Sequence, residues 1–233
     1  MNKEELRNHL SSLGFIISEK TIQNLEDFSF KTLEVNKSFN LTAITDIESF
    51  REKMVYDSAL GMVGLDLTNK KVIDVGTGAG FPGMVIYILD NNINLTLLDS
   101  TAKKINHLEK YAKEAEYHID FVIDRIEEYA HKNIEKYDYA FARAVASLNI
   151  LLEMIMPIIK VGGYFIALKG AKAEEEINEA KNAIKVMGAK VVSINKYILP
   201  ESHEERNVLI IEKIKNTSKK YPRSYADIKK RPL

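Results

Sequence analysis

Apolar residues recur at two different intervals along this chain, and the interval changes near residue 68. Before that point they fall three to five apart, at Leu6, Leu10 and Leu13 and then Ile22, Leu25, Phe28 and Leu33. This is the spacing of helices that bury one face. Residues 1–68 are therefore predicted to form a helical N-terminal cap. From Lys71 onward, short apolar runs alternate with amphipathic stretches. The runs predict strands near 71–75, 94–98, 119–123, 137–142, 163–168, 190–199 and 207–213. Between them, helices are predicted near 81–89, 101–115, 125–132, 147–159 and 173–187. Strands that alternate with helices predict a mostly parallel α/β sheet covered on both faces. Only Pro200–Glu205 separates the last two runs, room for a loop alone, so the final strand should run antiparallel.

With 233 residues, 45% of them hydrophobic, the chain can bury one substantial core. The boundaries implied are the cap, a main domain over 69–214 and a tail over 215–233. Formal charge is zero, but residues 213–233 carry eight Lys and Arg against Asp227 alone, a local charge of +7. Such asymmetry suggests a tail presented to a polyanion ahead of a solvated, frayed terminus, and ligand binding elsewhere should survive its removal. Cysteine is absent, which excludes disulfides, thiolate metal sites and cysteine nucleophiles. The five histidines, His9, His107, His118, His131 and His203, show no ligand spacing, so no metal is expected. No long apolar run follows the N-terminus, so a cytoplasmic protein without a membrane span is expected. Glu174-Glu175-Glu176 opens a predicted helix, where negative charge complements the dipole.

The chemistry concentrates at strand ends. Residues 74–83 read DVGTGAGFPG after the first predicted strand, with Gly76, Gly78 and Gly80 leaving room for a sharp turn and close ligand approach. Gly78, Gly80 and Gly83 also satisfy G-x-G-x-x-G, so a dinucleotide and S-adenosylmethionine both remain candidates, as does a glycine-rich turn without a ligand. Asp99 closes the second strand at the separation expected of a ribose-binding carboxylate. Asp74 favours the methyl donor, because a carboxylate facing a cation is attracted where a pyrophosphate would be repelled. The predicted antiparallel last strand points the same way, towards a class I methyltransferase, Rossmann-like with seven strands. After the third strand, Asp124-Arg125-Ile126-Glu127 offers either an adenine pocket or surface charge before a helix. After the fourth, Arg143 stands alone among small apolar residues, where an unpaired buried guanidinium would be costly, so it is assigned to the site. That position lacks the Asn/Asp-Pro-Pro-aromatic segment of exocyclic-amine methyltransferases, and no cysteine is available for attack on pyrimidine carbon 5. Guanine nitrogen 7, with a lone pair and no proton to lose, needs positioning rather than a base.

Several segments, taken in order, give the chain a resemblance to one family. They are Asn36-Lys-Ser-Phe-Asn40-Leu-Thr42, Asp57-Ser58, the glycine loop, Leu97-Leu-Asp99-Ser100 with Lys103-Lys104, Arg143-Ala144-Val145-Ala146, Leu168-Lys169-Gly170, Tyr221-Pro-Arg223 and the terminal Pro232-Leu233. The chain resembles the RsmG family, also called glucose-inhibited division protein B, bacterial guanine-N7 methyltransferases of 16S ribosomal RNA. The resemblance implies S-adenosylmethionine as methyl donor and the RNA of the small ribosomal subunit as partner; a monomer is expected. It implies that Gly76, Phe81, Asp99, Ser100, Ile126, Glu127 and Arg143 contact the donor or line the cavity beside it. Asn40 and Lys169 fall on the substrate side, joining Arg143 as positioning groups with no general base. Two departures stand out: Met54 replaces a histidine common ahead of Asp-Ser, and the tail lacks the usual glycine-proline pattern. A small-molecule methyltransferase and a non-catalytic RNA-binding or assembly module are the rival readings.

Overall fold

The computed structural model describes residues 1–39 and 41–233; Asn40, expected on the substrate side, lies outside the described residues. Seven strands form one sheet in the order β3-β2-β1-β4-β5-β7-β6. They are β1 (Lys71–Val75), β2 (Asn94–Asp99), β3 (Asp120–Ile123), β4 (Tyr137–Arg143), β5 (Ile159–Lys169), β6 (Ala189–Ile198) and β7 (Glu205–Lys213). All neighbours pair in parallel except β7, which lies antiparallel between β5 and β6, as the short Pro200–Glu205 link requires. The chain builds outward from β1 to β3 and then returns to lay β4 against the other side of β1. Open α/β sheets bind ligands at such a switch point, beyond the carboxyl ends of the strands. Here those ends are Val75 and Arg143.

β1 is buried after its first residue, which explains why it reads as a continuous apolar run rather than an alternating one. Two cores flank the sheet. One joins Phe28 and Phe50 of the cap to Phe81, Leu97 and Leu108. The other packs Leu151 and Ile155 under Phe165, Leu209 and Ile228.

The cap comprises α1 (Lys3–Ser12), α2 (Glu19–Phe39), α3 (Ile47–Phe50), a π-helical turn over Arg51–Tyr56 and α4 (Asp57–Leu60). The Phe28 and Phe50 rings lie 5.1 and 5.4 Å from that of Phe81. A buried bidentate pair, Arg51 with Glu26 at 2.8 and 2.6 Å, fastens the π-helical turn to α2. Asn36 donates to and accepts from the Thr42 backbone at 2.9 Å, folding the chain back after α2.

The main domain adds α5 (Gly83–Leu89), α6 (Ala102–Glu114), α7 (Ile126–Lys132), α8 (Leu148–Ile155), α9 (Ala173–Glu179) and α10 (Lys181–Met187). Two helices depart from expectation. The one predicted over 147–159 ends at Ile155 and tightens to a 3-10 turn over Met156–Ile158, because Pro157 lacks the N–H to continue it. β5 consequently begins at Ile159 rather than near 163. The helix predicted over 173–187 is divided at Ala180 and stops at Gly188, whose φ of +70° makes the left-handed cap. A helix that the spacing did not predict, α11 (Tyr225–Lys230), folds the tail against α8. Among the described residues, no helix is long and apolar enough to cross a membrane.

Candidate active site

The glycine loop is tied to its neighbour strand before any ligand is considered. The Gly76 and Thr77 amides donate to the Leu98 carbonyl at 2.8 and 3.0 Å. Gly76, Gly78 and Gly80 all take positive φ, at 70°, 60° and 97°, which L side chains rarely adopt. Their missing side chains serve different ends. A Cβ on Gly76 would lie 2.7 Å from Val145 Cγ2, so that glycine lets the turn after β4 press against the loop. Around Gly78 the space is open, with nothing nearer than the Gly76 carbonyl at 3.9 Å. At Gly80 a Cβ would meet Phe28, Leu108 and Met84 at 2.8–2.9 Å. Gly80, expected to approach the cofactor, thus makes room for the packing of cap against sheet.

Asp74 also departs from expectation. Its carboxylate is wholly buried, and Oδ2 accepts from Thr77 Oγ1 at 2.6 Å and the Gly83 amide at 2.8 Å, so it closes the loop from within rather than facing the cavity. Oδ1 is buried without a protein partner. Burial pushes this carboxyl up to about 6, against the pull of those two hydrogen bonds and of Arg143.

Asp99 stands where the sequence placed it. Its Oδ2 accepts from the Gly78 amide at 3.0 Å and its Oδ1 from the Thr101 amide at 2.8 Å, with the Lys104 ammonium 4.0 Å away. A carboxylate has about four lone-pair positions, so two such bonds leave acceptor capacity for hydroxyl groups. Asp99 and Ser100 line a cavity of 330 Å³ together with Ile126 and Glu127. Glu127 is held by Arg125 at 2.6 Å.

Gly76, Lys104 and Ala144–Ala146 line both this cavity and a larger one of 1010 Å³. Ala144 has φ +54°, a strained conformation for a residue with a Cβ and one typical of functional turns. Arg143, Phe81, Gly78 and Lys169 line the larger cavity, bringing together the expected donor-side and substrate-side residues. The Arg143 guanidinium lies 5.7 Å over the Phe81 ring. It donates to the Lys53 carbonyl at 2.9 Å, to Asp57 at 3.3 Å and to Met54 Sδ at 3.2 Å. Met54, in the histidine position, thus offers Arg143 an acceptor. Burial pulls the Arg143 guanidinium below its ordinary value, and Asp57 and Asp74 resist the shift. Lys169 is nearly enclosed, its ammonium between the Ala146 carbonyl at 2.8 Å and Glu176 at 2.7 Å. Glu176 also accepts from the Leu148 amide at 2.8 Å, so one member of the acidic run binds the site as well as opening α9.

Sequence reasoning missed three partners. Arg206 of β7 donates to Asp57 at 3.2 Å and to Glu204 at 2.7 Å, so a single buried carboxylate holds two arginines. Lys53 pairs with the same Glu204. Tyr225 of the tail lines the smaller cavity, where its ring receives the Arg125 guanidinium at 4.9 Å. The tail therefore does not stand apart from the candidate donor site. Arg223, counted among its free cations, is spent on buried Glu153 at 2.7 and 2.6 Å.

The family model for GidB, rRNA small subunit methyltransferase G, matches residues 21–208. The chain is 42% identical to ribosomal RNA small subunit methyltransferase G of Alkaliphilus metalliredigens, covering 100% of this chain and 99% of that one. Its counterpart in Staphylococcus saprophyticus is 41% identical over 98% of this chain and 97% of its own. The chain belongs to the rRNA small subunit methyltransferase G family. The methyl donor of this family is S-adenosylmethionine. Solved structures at lower identity share the fold: ribosomal protein L11 methylase of Lactobacillus delbrueckii aligns at TM-score 0.53 and 15% identity, covering 69% of this chain and 78% of that one. The [4+2]-cyclase SpnF aligns at TM-score 0.57 and 13% identity, covering 88% and 99%. A cyclase on the same scaffold shows that chemistry must be argued from the site. Two segments that marked the resemblance to rRNA small subunit methyltransferase G now have physical roles. Asp57 joins Arg143 to Arg206, while Ser58, fully buried beside it, donates to the Met54 carbonyl. Tyr221-Pro-Arg223 fastens the tail to α8 through Glu153.

Proposed function

We propose that this protein methylates ring nitrogen 7 of a guanine in the 16S RNA of the small ribosomal subunit, with the donor across the smaller cavity and the guanine in the larger. The observation that carries the reading is the meeting of the two cavities at Gly76 and Val145, at the sheet's switch point. The residues present fit an adenosyl group attached to a cation. Asp99 retains free acceptor capacity, and open space lies over Gly78. When bound, S-adenosylmethionine supplies an electrophilic methyl on a sulfonium that departs as a neutral thioether.

The chain's own residues bind, orient and exclude water. Asp99 and Ser100 would hold the ribose, Ile126 and Glu127 the adenine, and Gly76, Gly78 and Phe81 the rest of the donor. Arg143, with donors committed to Asp57 and Lys53, positions the cap against the top of β4 where it lines the larger cavity. Lys169 pins the Ala144–Ala146 turn through the Ala146 carbonyl on the substrate side. None of these groups takes a proton, because guanine nitrogen 7 carries none.

Mapping 7-methylguanine in 16S RNA from cells with and without the gene tests the reading, with purified protein and 30S subunits as the direct assay. The expected result is one methylated guanine lost with the gene and restored by the protein. Unchanged RNA in the deletion strain, or methylation of a small metabolite instead, overturns it.

A further inference from the structure

The tail was expected to meet a polyanion, yet its aromatic residue lies in the smaller cavity. Tyr225 is the one aromatic residue among the described residues that line it, facing a space otherwise bounded by Asp99, Ile126, Val145 and Met154. The ring is held in place from both sides in sequence. Before it, Arg223 makes a bidentate pair with fully buried Glu153, which also accepts from the Arg223 amide at 3.1 Å. After it, Ile228 is fully buried in the core under α8. Ser224 caps the intervening helix by accepting from the Asp227 amide. Arg125 lies against the ring at 4.9 Å and is itself tethered to Glu127. A planar ring on a fixed mount, beside apolar side chains and a ribose-ready carboxylate, is the arrangement that stacks on a purine.

We propose that the C-terminal segment is a wall of the donor site, with Tyr225 closing the smaller cavity over the adenine ring. The tail then sets donor affinity, and its lysines are left to face RNA. This inference rests on the reading that the smaller cavity takes the adenosyl group.

The test is calorimetry of S-adenosylhomocysteine binding to the full chain, which needs no turnover. Tyr225→Ala should weaken binding about tenfold, whereas Tyr225→Phe, which keeps the ring, should stay within about twofold. Because the protein contains no tryptophan, Tyr225→Trp introduces a single reporter, whose emission should change on titration with S-adenosylhomocysteine or with adenosine alone. Wild-type affinity in a folded Tyr225→Ala protein overturns the proposal. So does a Phe variant as weak as the Ala variant, or a Trp variant that binds by calorimetry without an emission change. If Tyr225→Ala does not fold, the Trp emission decides. Failure of the underlying reading is distinguishable: wild type would not bind S-adenosylhomocysteine, or Asp99→Ala would bind it as tightly as wild type.

Discussion

The smaller cavity is bounded mainly by the carboxyl ends of β1 to β4, whereas the larger draws Leu41 and Met54 from the cap, Lys169 from β5 and Arg206 from β7. Their charges are satisfied differently as a result. In the smaller one, Asp99 is oriented by the amides of Gly78 and Thr101, main-chain groups rather than charged side chains. In the larger one, Asp57 is satisfied by two arginine side chains lying 86 and 149 residues away in sequence. A site oriented by backbone amides tolerates change in its surroundings. One oriented by ion pairs shares the fate of its partners, because removing one charge leaves another desolvated.

That contrast predicts the largest effect at Asp57. Asp57→Ala removes the carboxylate shared by Arg143 and Arg206, leaving buried Arg143 without an anionic hydrogen-bond partner, and should lower folding stability by about 3 kcal/mol, measured by urea unfolding. A loss below about 1 kcal/mol would show that the two arginines find other acceptors and that the larger cavity is as forgiving as the smaller.

Next comes Asp74, wholly buried against Thr77 and Gly83. Its carboxyl titrates at about 6 in the folded protein and near 3.9 when unfolded, so the folded state binds the extra proton between those values. Stability should therefore fall as pH rises from about 4 to 6, by about 2–3 kcal/mol, and stay at the lower level above that. Asp74→Asn should flatten this stretch of the pH profile. An unaltered slope in the Asn variant would assign the titration to another group.

For the smaller cavity the expected losses are in affinity rather than folding. Asp99→Ala should weaken S-adenosylhomocysteine binding by roughly 1.5–3 kcal/mol, about ten- to a hundredfold, while the melting temperature changes little. A large stability loss instead would mean that Asp99 serves chiefly to brace Gly78 and Thr101.

The smallest effect belongs to the tail's exposed cations. Changing Lys219, Lys229, Lys230 and Arg231 to Gln should shrink the log–log salt slope of RNA binding by about 0.7–0.9 for each phosphate that the tail no longer neutralises. Donor affinity should hold, since Arg223 and Tyr225 remain. Reduced donor affinity with an unchanged salt slope would reverse the assignment of the tail's two faces.

Much of the smaller cavity was legible in the sequence. Gly76, the carboxylate at Asp99 and the Ile126-Glu127 pair all line it and lie within a few residues of a strand end, where spacing dictates placement. Gly80 and Asp74 were read as cofactor contacts because spacing cannot distinguish a side chain that meets a ligand from one that meets the protein's own core. Glu176 was hidden for a related reason: Glu174 and Glu175 are exposed, and only the third acid of the run turns towards Lys169. Arg206 and Tyr225 gave no local signal. Asp57-Ser58 and Tyr-Pro-Arg marked the family before their partners were visible.

The sequence alone determined the alternation of strands and helices across the sheet, the antiparallel last strand and the glycine turn after β1, because each depends on residues adjacent in the chain. The pairing of Asp57 with two arginines, of Lys169 with Glu176 and of Tyr225 with the smaller cavity was decided only by the tertiary structure. Those contacts form when the cap, β7 and the tail converge on the sheet's upper edge, and their strength comes from shared burial, which no single segment carries by itself.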